Sequence, residues 1–448
     1  VTEPSTAVTP LELRAVGRLA DLDEESRAAL IDRQPMDDPG LGDSVAALMT
    51  DVRTRGDAAL IEMAARFDGA QLGAVEVPRT RWDEALGSLR PEIRKALERA
   101  AANIRRFHEA QRPDDVTVEV ETGVRITRSW VALERVGVYA PGGTAAYPSS
   151  VLMGVVPARA AGVDEVIVCS PPGVDGKPPA EVLAACAIAG ADRVFAIGGA
   201  GAVAAMAYGT QSVPAVDAIV GPGNRWVTEA KRQVAGTLMI DSPAGPSEVL
   251  VLTDDTADPT LVAHEMLAQA EHDPDAACVV VTTSERVARE TTTRLAELLA
   301  AAPRAEIARR ALSSAGAVLV ADSIEAALLF TDAFAAEHLS IMTADASTQA
   351  RALRNAGTTF VGGAASVAFG DYMTGANHVL PTAGRARSFS GLAVHHYLRS
   401  FTIQEIDAEG AAAMADDVAL LAEAEGLPAH AAAARARAGA DRSIAGDA

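Results

Sequence analysis

Residues 249–282 read VLVLTDDTADPTLVAHEMLAQAEHDPDAACVVVT. Two short apolar runs, Val249–Leu252 and Cys278–Thr282, flank a helical stretch. Asp258 is a good N-cap, and Pro259 suits the first helical position, where a missing N–H costs nothing. Leu261, Val262, Met266 and Leu267 recur at helical spacing with one buried face. Asp273-Pro274 ends the helix, because the residue before a proline is pushed out of the helical region. Strand, helix and strand in succession form the unit of a parallel sheet. Gln269 and His272 lie three apart near the helix end, so their side chains leave from one face. An imidazole and a carboxamide oxygen placed so could share a metal ion; a solvated helix end would read the same way.

The alternation extends in both directions. Downstream come the apolar runs Ala317–Val320, Leu339–Met342 and Thr359–Val361. Upstream lies an earlier series at Val136–Ala140, Glu165–Cys169, Arg193–Ile197, Ala218–Val220 and Thr237–Ile240, with helical stretches such as Ala180–Ala189 between. Two series predict two parallel sheets of similar plan. Ahead of them, helical patterns cover Leu11–Arg33, Ser44–Phe67, Thr80–Ser88 and Pro91–Gln111. Arg112-Pro113-Asp114-Asp115 is a break. Val116–Arg128 then alternates apolar and polar residues, which predicts an antiparallel hairpin with one exposed face. Glu405–Glu425 is helical and alanine-rich, and residues 1–10 and the end of Ala431–Ala448 read as mobile.

Composition bounds the function. The 448 residues allow two or three domains. A 49 % hydrophobic and 22 % charged content is that of a soluble globular protein. No apolar run reaches the length of a membrane span, and no signal peptide is visible, so a cytoplasmic protein is expected. The net charge of −21 argues against nucleic acid and anionic membranes as partners and suits a cationic small substrate. Cys169, Cys186 and Cys278 stand singly among apolar residues and are expected to be buried and inert.

Among the histidines, His108 shares its helix with Arg105, Arg106 and Glu109 and is expected to be solvated. His264 reads as structural, and His395 and His396 sit in a plain alternation. Glu337-His338 follows the helical stretch Ala326–Ala336; adjacent helical residues point about 100° apart, so both can face one cavity only at a helix end or break. Asp371 precedes the glycine-ended turn Tyr372–Gly375 and by itself reads as a capping residue. Gly199-Ala-Gly201-Ala-Val-Ala204, with Asp217 downstream, matches a loose dinucleotide pattern that 36 glycines make easy to meet by chance. Gly221-Pro-Gly-Asn224 opens a helix whose N–H groups suit a phosphate or carboxamide, or form an ordinary cap.

Several motifs occur in a fixed order: Tyr139-Ala-Pro-Gly-Gly143, Gly221-Pro-Gly-Asn224 with Glu229-Ala-Lys-Arg232, Ala244-Gly-Pro-Ser-Glu248, and Gln269-Ala-Glu-His-Asp273. Then follow Glu337-His338-Leu339, Gly370-Asp-Tyr372, Gly375-Ala-Asn-His378 with Val379-Leu-Pro-Thr382, and Glu425-Gly-Leu-Pro-Ala-His430. Together, over roughly residues 30 to 435, the chain resembles the histidinol dehydrogenase family.

The resemblance implies an α/β fold of two incomplete Rossmann-like domains with mostly parallel sheets, a helical N-terminal segment and a helical C-terminal tail. The implied partition is 1–32 for the N-terminal segment, 33–135 with 247–385 for a discontinuous first domain, 136–246 for an inserted NAD-binding domain, and 386–448 for a tail exchanged in a homodimer with shared active sites. It implies zinc on Gln269, His272, Asp371 and His430, a set without thiolates that fits catalysis better than a structural role. Glu337 and His338 are implied as catalytic, with two NAD-dependent oxidations of L-histidinol to L-histidine. Ser247, His378 and Glu425, with His338 and the zinc ligands, would surround the substrate, Glu425 holding an ammonium group. Tyr139, Gly201 and Asn224 would meet NAD. Many members carry glutamine where this chain has Gly201, so one side-chain contact to the nucleotide should be missing. Two other readings stay open on the residues alone: a zinc hydrolase and a non-catalytic binding protein.

Overall fold

The computed structural model describes residues 11–33, 38–142, 146–242 and 245–438. The expectations for the two chain ends, and Gly143 and Ala244 of the quoted motifs, lie outside the described residues. In chain order the strands are β1 Ala15–Arg18, β2 Val116–Glu121, β3 Val124–Ala132, β4 Arg135–Tyr139, β5 Glu165–Ser170, β6 Arg193–Ala196, β7 Ala218–Val220 and β8 Met239–Ile240. They continue with β9 Glu248–Thr253, β10 Ala277–Thr282, β11 Gly316–Val320, β12 His338–Met342, β13 Thr358–Val361 and β14 Leu398–Ile406.

One parallel sheet has the order β6-β5-β4-β7-β8 and the other β11-β10-β9-β12-β13, extended by β1 beside β11. In each, the first strand lies inside, the chain winds outward, then returns to the other side. The two series are therefore two copies of the doubly wound plan. Central strands such as β9, β10 and β12 are buried along their whole length, which is why they read as apolar runs rather than alternations. Helix Pro259–Ala270 packs Val262 and Met266 into the second sheet's core, while Leu261 faces solvent.

The structure departs from the sequence reading in several places. Residues 11–33 open on β1, and the helical pattern holds only over Glu24–Ile31, capped by Asp23 accepting the Ser26 N–H. The partition that the resemblance implies places residues 33–135 with 247–385, the span of the six-stranded sheet's main strands. Instead Val45, Met49, Val52, Leu60 and Val75 share one core with Tyr139, Ile167 and Phe195 of the five-stranded sheet. An apolar helix face announces burial but does not say which sheet covers it. His108 is fully buried and donates from Nδ1 to the Ile104 carbonyl at 2.8 Å, because the helix turns that ring inward while its arginines face out. The three cysteines are buried, and burial pushes their thiols far above the ordinary range.

Residues 112–132 with 398–438 form a separate unit. Its sheet is antiparallel, ordered β14-β3-β2, so the predicted hairpin gains a third strand. Helices Ala408–Ala424 and Pro428–Ala438 follow and meet through Ala419, Ala422 and Ala431.

The Gly221 turn after β7 is held from beneath by a buried ion pair. Lys231 Nζ contacts Asp241 Oδ1 and donates to the Gly221 carbonyl at 3.0 Å, while Asp241 Oδ2 accepts the Gly221 N–H at 2.7 Å. Gly221 has φ +115°, and a Cβ there would lie 2.1 Å from the Tyr139 carbonyl oxygen. Only glycine lets the turn come this close to β4. Removing one partner of such a pair leaves an uncompensated buried charge. Lys231→Met should therefore lower the unfolding free energy by about 3–5 kcal/mol, read by urea denaturation; a loss below about 1 kcal/mol would show the pair to be dispensable.

Candidate functional site

Helix Ile324–Phe334 ends on Ala335, a non-glycine residue at φ 52°, and the chain then passes through Ala336 and Glu337 into β12. This is the break that adjacent residues need to serve one cavity. Glu337 and His338 are both buried, not solvated, with the residues 6 % and 3 % exposed. β9 holds them. Glu337 Oε2 accepts the Ser247 hydroxyl at 2.6 Å and the Glu248 N–H at 2.7 Å. His338 Nδ1 donates to the Glu248 carbonyl at 3.0 Å. On the other side, the Glu337 carbonyl accepts the Thr358 N–H of β13. A carbonyl can only accept, so Nδ1 carries a proton and Nε2 is the atom left to work.

Burial raises the Glu337 carboxyl to about 7, against the opposing pull of His338, Ser247 and the Glu248 amide. Burial also disfavours a charged His338, yet the carboxylates of Glu337 and Asp371 outweigh it and raise the imidazole to about 9. His338 Nε2 lies 3.6 Å from Asp371 Oδ1 and has no hydrogen-bond partner. Burial pushes the Asp371 carboxyl up, but the surrounding imidazoles, His338 foremost, hold it below its usual value.

Asp371 rides on the short helix Val367–Tyr372. The buried carboxylate of Glu265, on helix Pro259–Ala270, accepts the Val367 N–H at 3.1 Å and so ties the two helices together. Four residues beyond Glu265 comes Gln269, 3 % exposed, with neither carboxamide atom hydrogen-bonded. His272 follows just past the helix and is exposed as a residue; protein crowding its ring lowers its pKa, against the pull of Asp371. His378 donates from Nδ1 to the Asp371 carbonyl at 3.0 Å, and burial lowers its pKa. A buried carboxamide without partners costs about 1–3 kcal/mol. Gln269 offers a buried neutral oxygen, and His272 and Asp371, whose charges interact with each other and with His338, offer an imidazole and a carboxylate; these donor types suit zinc. Among the described residues of one chain, however, no three His, Cys, Asp or Glu side chains cluster as a metal-binding group. Glu425 and His430 lie on the other unit, both exposed, Glu425 just past its first helix and His430 in the first turn of its second.

A cleft of about 990 Å³ opens at the carboxyl ends of the five-stranded sheet, lined by Tyr139, Gly142, Gly199, Gly201, Asn224 and Trp226. Ligands of doubly wound sheets bind at that edge, where the strand order reverses. Here β4 and β7 meet, carrying Tyr139 and the Gly221 turn. The Tyr139 hydroxyl accepts the Gly199 N–H at 3.2 Å, and burial raises it to about 12 despite that bond. Asn224 caps helix Arg225–Val234, accepting from Trp226 and Val227, so its carboxamide oxygen is already engaged. A Cβ on Gly201 would sit 3.0 Å from Met63 Sδ; an apolar wall stands there. A π-helical turn, Ala64–Asp68, continues that wall. Asp217 lies at the opposite edge and accepts the Glu134 and Arg135 N–H groups, so it is no partner for a ligand in the cleft.

Comparison with known proteins settles the family. A model described as histidinol dehydrogenase matches residues 31–438. The chain belongs to the histidinol dehydrogenase family. It is 47 % identical over 426 residues to the histidinol dehydrogenase of Methanosarcina mazei, covering 94 % of this chain and 97 % of that one. Against the Natronomonas pharaonis protein of the same name the identity is 49 % over 420 residues, covering 93 % and 98 %. The crystal structure of histidinol dehydrogenase from Elizabethkingia anophelis superposes with a TM-score of 0.90 at 33 % identity, over 95 % of this chain and 98 % of that chain. Membership of the histidinol dehydrogenase family makes the chain an NAD-dependent oxidoreductase acting on an alcohol.

The sequence reading gave no role to Arg33, Glu248, Glu265, Lys231 or Asp241, although Glu248 and Lys231 fall within its motifs. The available signal was a charged residue inside or beside an apolar run, as Glu248 is before Val249–Leu252.

Gln269 yields a stability test. In chelator, Gln269→Met should stabilise the protein, or leave it unchanged, because it removes an unpaired buried amide. Were zinc to bind here, added zinc would stabilise the parent protein and not the variant, both read by urea melts. Destabilisation by more than about 2 kcal/mol in chelator would mean that the carboxamide has an internal partner.

Proposed function

We propose that the chain is a zinc-dependent L-histidinol dehydrogenase that carries out two successive oxidations, alcohol to aldehyde and aldehyde to carboxylate, at one site. The observation that carries this reading is the buried pair Glu337–His338. Two differently tuned groups sit on adjacent residues, with His338 Nε2 3.6 Å from Asp371 Oδ1. Zinc on Gln269, His272, Asp371 and His430 would hold and orient the substrate through its imidazole and amine. NAD, in the cleft by Tyr139, Gly201 and Asn224, would accept the hydride.

The protein's own groups do the rest. His338, in its neutral form, takes the hydroxyl proton at Nε2 while Nδ1 stays tied to the Glu248 carbonyl. Glu337 keeps Oε2 bonded to Ser247 and Glu248 and uses its other oxygen to take a proton from the water that attacks the aldehyde. Ser247 and His378 line the substrate, and Glu425 pairs with its ammonium group. The acidic balance of the chain favours a cationic substrate's approach.

The site is completed by a second copy. Gln269, His272 and Asp371 all belong to the larger unit, with His272 and Asp371 near enough for their charges to interact, while His430 and Glu425 are exposed on the other unit. That unit also exposes Val116, Val118 and Val120 of its hairpin, Phe401 and Ile403 of β14, and Leu420 and Leu421 of its first helix. So much bare apolar surface on a small unit suits burial in a two-fold dimer with exchanged tails.

Adding L-histidinol and NAD should release two NADH per L-histidinol, with L-histidine as product. Chelation should abolish turnover and zinc restore it. Absence of NADH, or full activity in a protein shown by elemental analysis to be metal-free, would sink the corresponding part. His272→Ala and His430→Ala should each be inactive, yet regain activity in roughly a quarter of sites after mixed reassociation, since each mixed dimer then holds one intact site. No recovery in verified mixed dimers would place the tail on its own subunit.

A further inference from the structure

Arg33 lies far in sequence from the site, at the end of the first helical segment, yet its guanidinium is spent on the residues that carry the candidate catalytic pair. Its Nε and one Nη donate to the two carboxylate oxygens of Glu248 at 2.8 and 2.9 Å. That same Nη donates to the Phe334 carbonyl at 2.9 Å, and the other Nη donates to the carbonyls of Leu30 and Ile31, each at 2.9 Å. All the guanidinium N–H groups are thereby engaged. The cation also stacks on the Phe334 ring, 3.5 Å from its centroid. The pair is buried, with side chains 11 % and 4 % exposed.

Each partner leads to the site by a short path. Glu248 is the residue whose N–H holds Glu337 and whose carbonyl holds His338. Its carboxylate also accepts the Ala383 N–H at 2.7 Å, from the segment that follows His378. Phe334 is the last residue of the helix before Ala335, where the chain turns toward Glu337. One side chain thus fixes β9 at Glu248 and the entry to β12 at Phe334. Those are the two pieces of backbone whose separation sets where the Glu337 and His338 side chains stand.

We propose that Arg33, through Glu248, is a positioning residue for the Glu337–His338 pair, setting its geometry for proton transfer without touching substrate or cofactor. This rests on the assignment of that pair as catalytic. A bidentate guanidinium with a further carbonyl contact cannot be copied by an ammonium group, so Arg33→Lys keeps the charge and loses the geometry.

The experiment is a double-mutant cycle on the full-length enzyme, with kcat and KM measured for L-histidinol and NAD. Arg33→Lys and Glu248→Gln should each lower kcat by about 10–10²-fold, the loss typical of a small misplacement of reacting groups. KM for both substrates should stay within about twofold, because no binding contact is removed. His338→Asn alone should lower kcat by about 10²–10⁴-fold. Adding Arg33→Lys to His338→Asn should lower it no further, since the alcohol step then limits turnover and the group positioned for that step is already gone. Losses that multiply in the double variant would show that Arg33 acts on general stability and overturn the proposal, as would Arg33→Lys with a parental kcat. A near-parental His338→Asn would instead sink the catalytic assignment itself. Should Arg33→Lys fail to fold, the same cycle run with Glu248→Gln, which keeps size and an acceptor for Ala383, decides the question.

Discussion

A carboxyl group and an imidazole on adjacent residues are kept out of water, and the rest of the site is built around that constraint. Burial alone would leave each group neutral or expel it. Three features keep the pair inside. Ser247 and the Glu248 amide satisfy one oxygen of Glu337, the Glu248 carbonyl accepts a hydrogen bond from the His338 Nδ1–H, and the two side chains stabilise each other's charge. The outcome is a carboxyl raised to about 7 beside an imidazole raised to about 9. Shifts of this size, set by burial and a specific charge partner, are what a proton-transfer role calls for, and structural ion pairs show them too.

The same sheet plan occurs twice and is used at opposite edges. In the five-stranded sheet the cleft lies at the carboxyl edge, where doubly wound sheets bind ligands. In the six-stranded sheet the pair sits at the amino edge, since His338 begins β12 and Glu248 begins β9. Those two strands are direct neighbours, so main-chain register sets the distance between Glu248 and His338. The register is defended by buried apolar side chains on both faces of both strands.

The sheets were the most legible part of the fold. Both strand series stand where the short apolar runs place them, because a strand buried on both faces has no polar alternation to confuse it. β1 was hidden among helical-looking residues, because an edge strand such as Ala15–Arg18 leaves most of its side chains exposed. Helices over 39–109 were visible as helices, but their choice of sheet is a long-range packing decision that periodicity does not carry. At the site, the spacing of Gln269 and His272 was readable from the sequence, and so was the need for a chain break at Glu337-His338. The supporting contacts were not, because Arg33–Glu248 and Lys231–Asp241 join residues whose pairing depends on the finished fold. His108 was misread for a related reason: a helix lined with arginines can still turn one polar ring inward when a backbone carbonyl receives it.

The central claim is that adjacent residues divide the work of two oxidations, His338 taking the alcohol proton and Glu337 the proton of water. Rapid mixing of Glu337→Gln with NAD and L-histidinol tests it most directly. The account predicts a first phase of up to about one NADH per site, followed by a second oxidation slowed by about 10²–10⁴-fold, the loss expected when a general base is removed. Equal slowing of both phases, or release of both NADH at the parental rate, would contradict it.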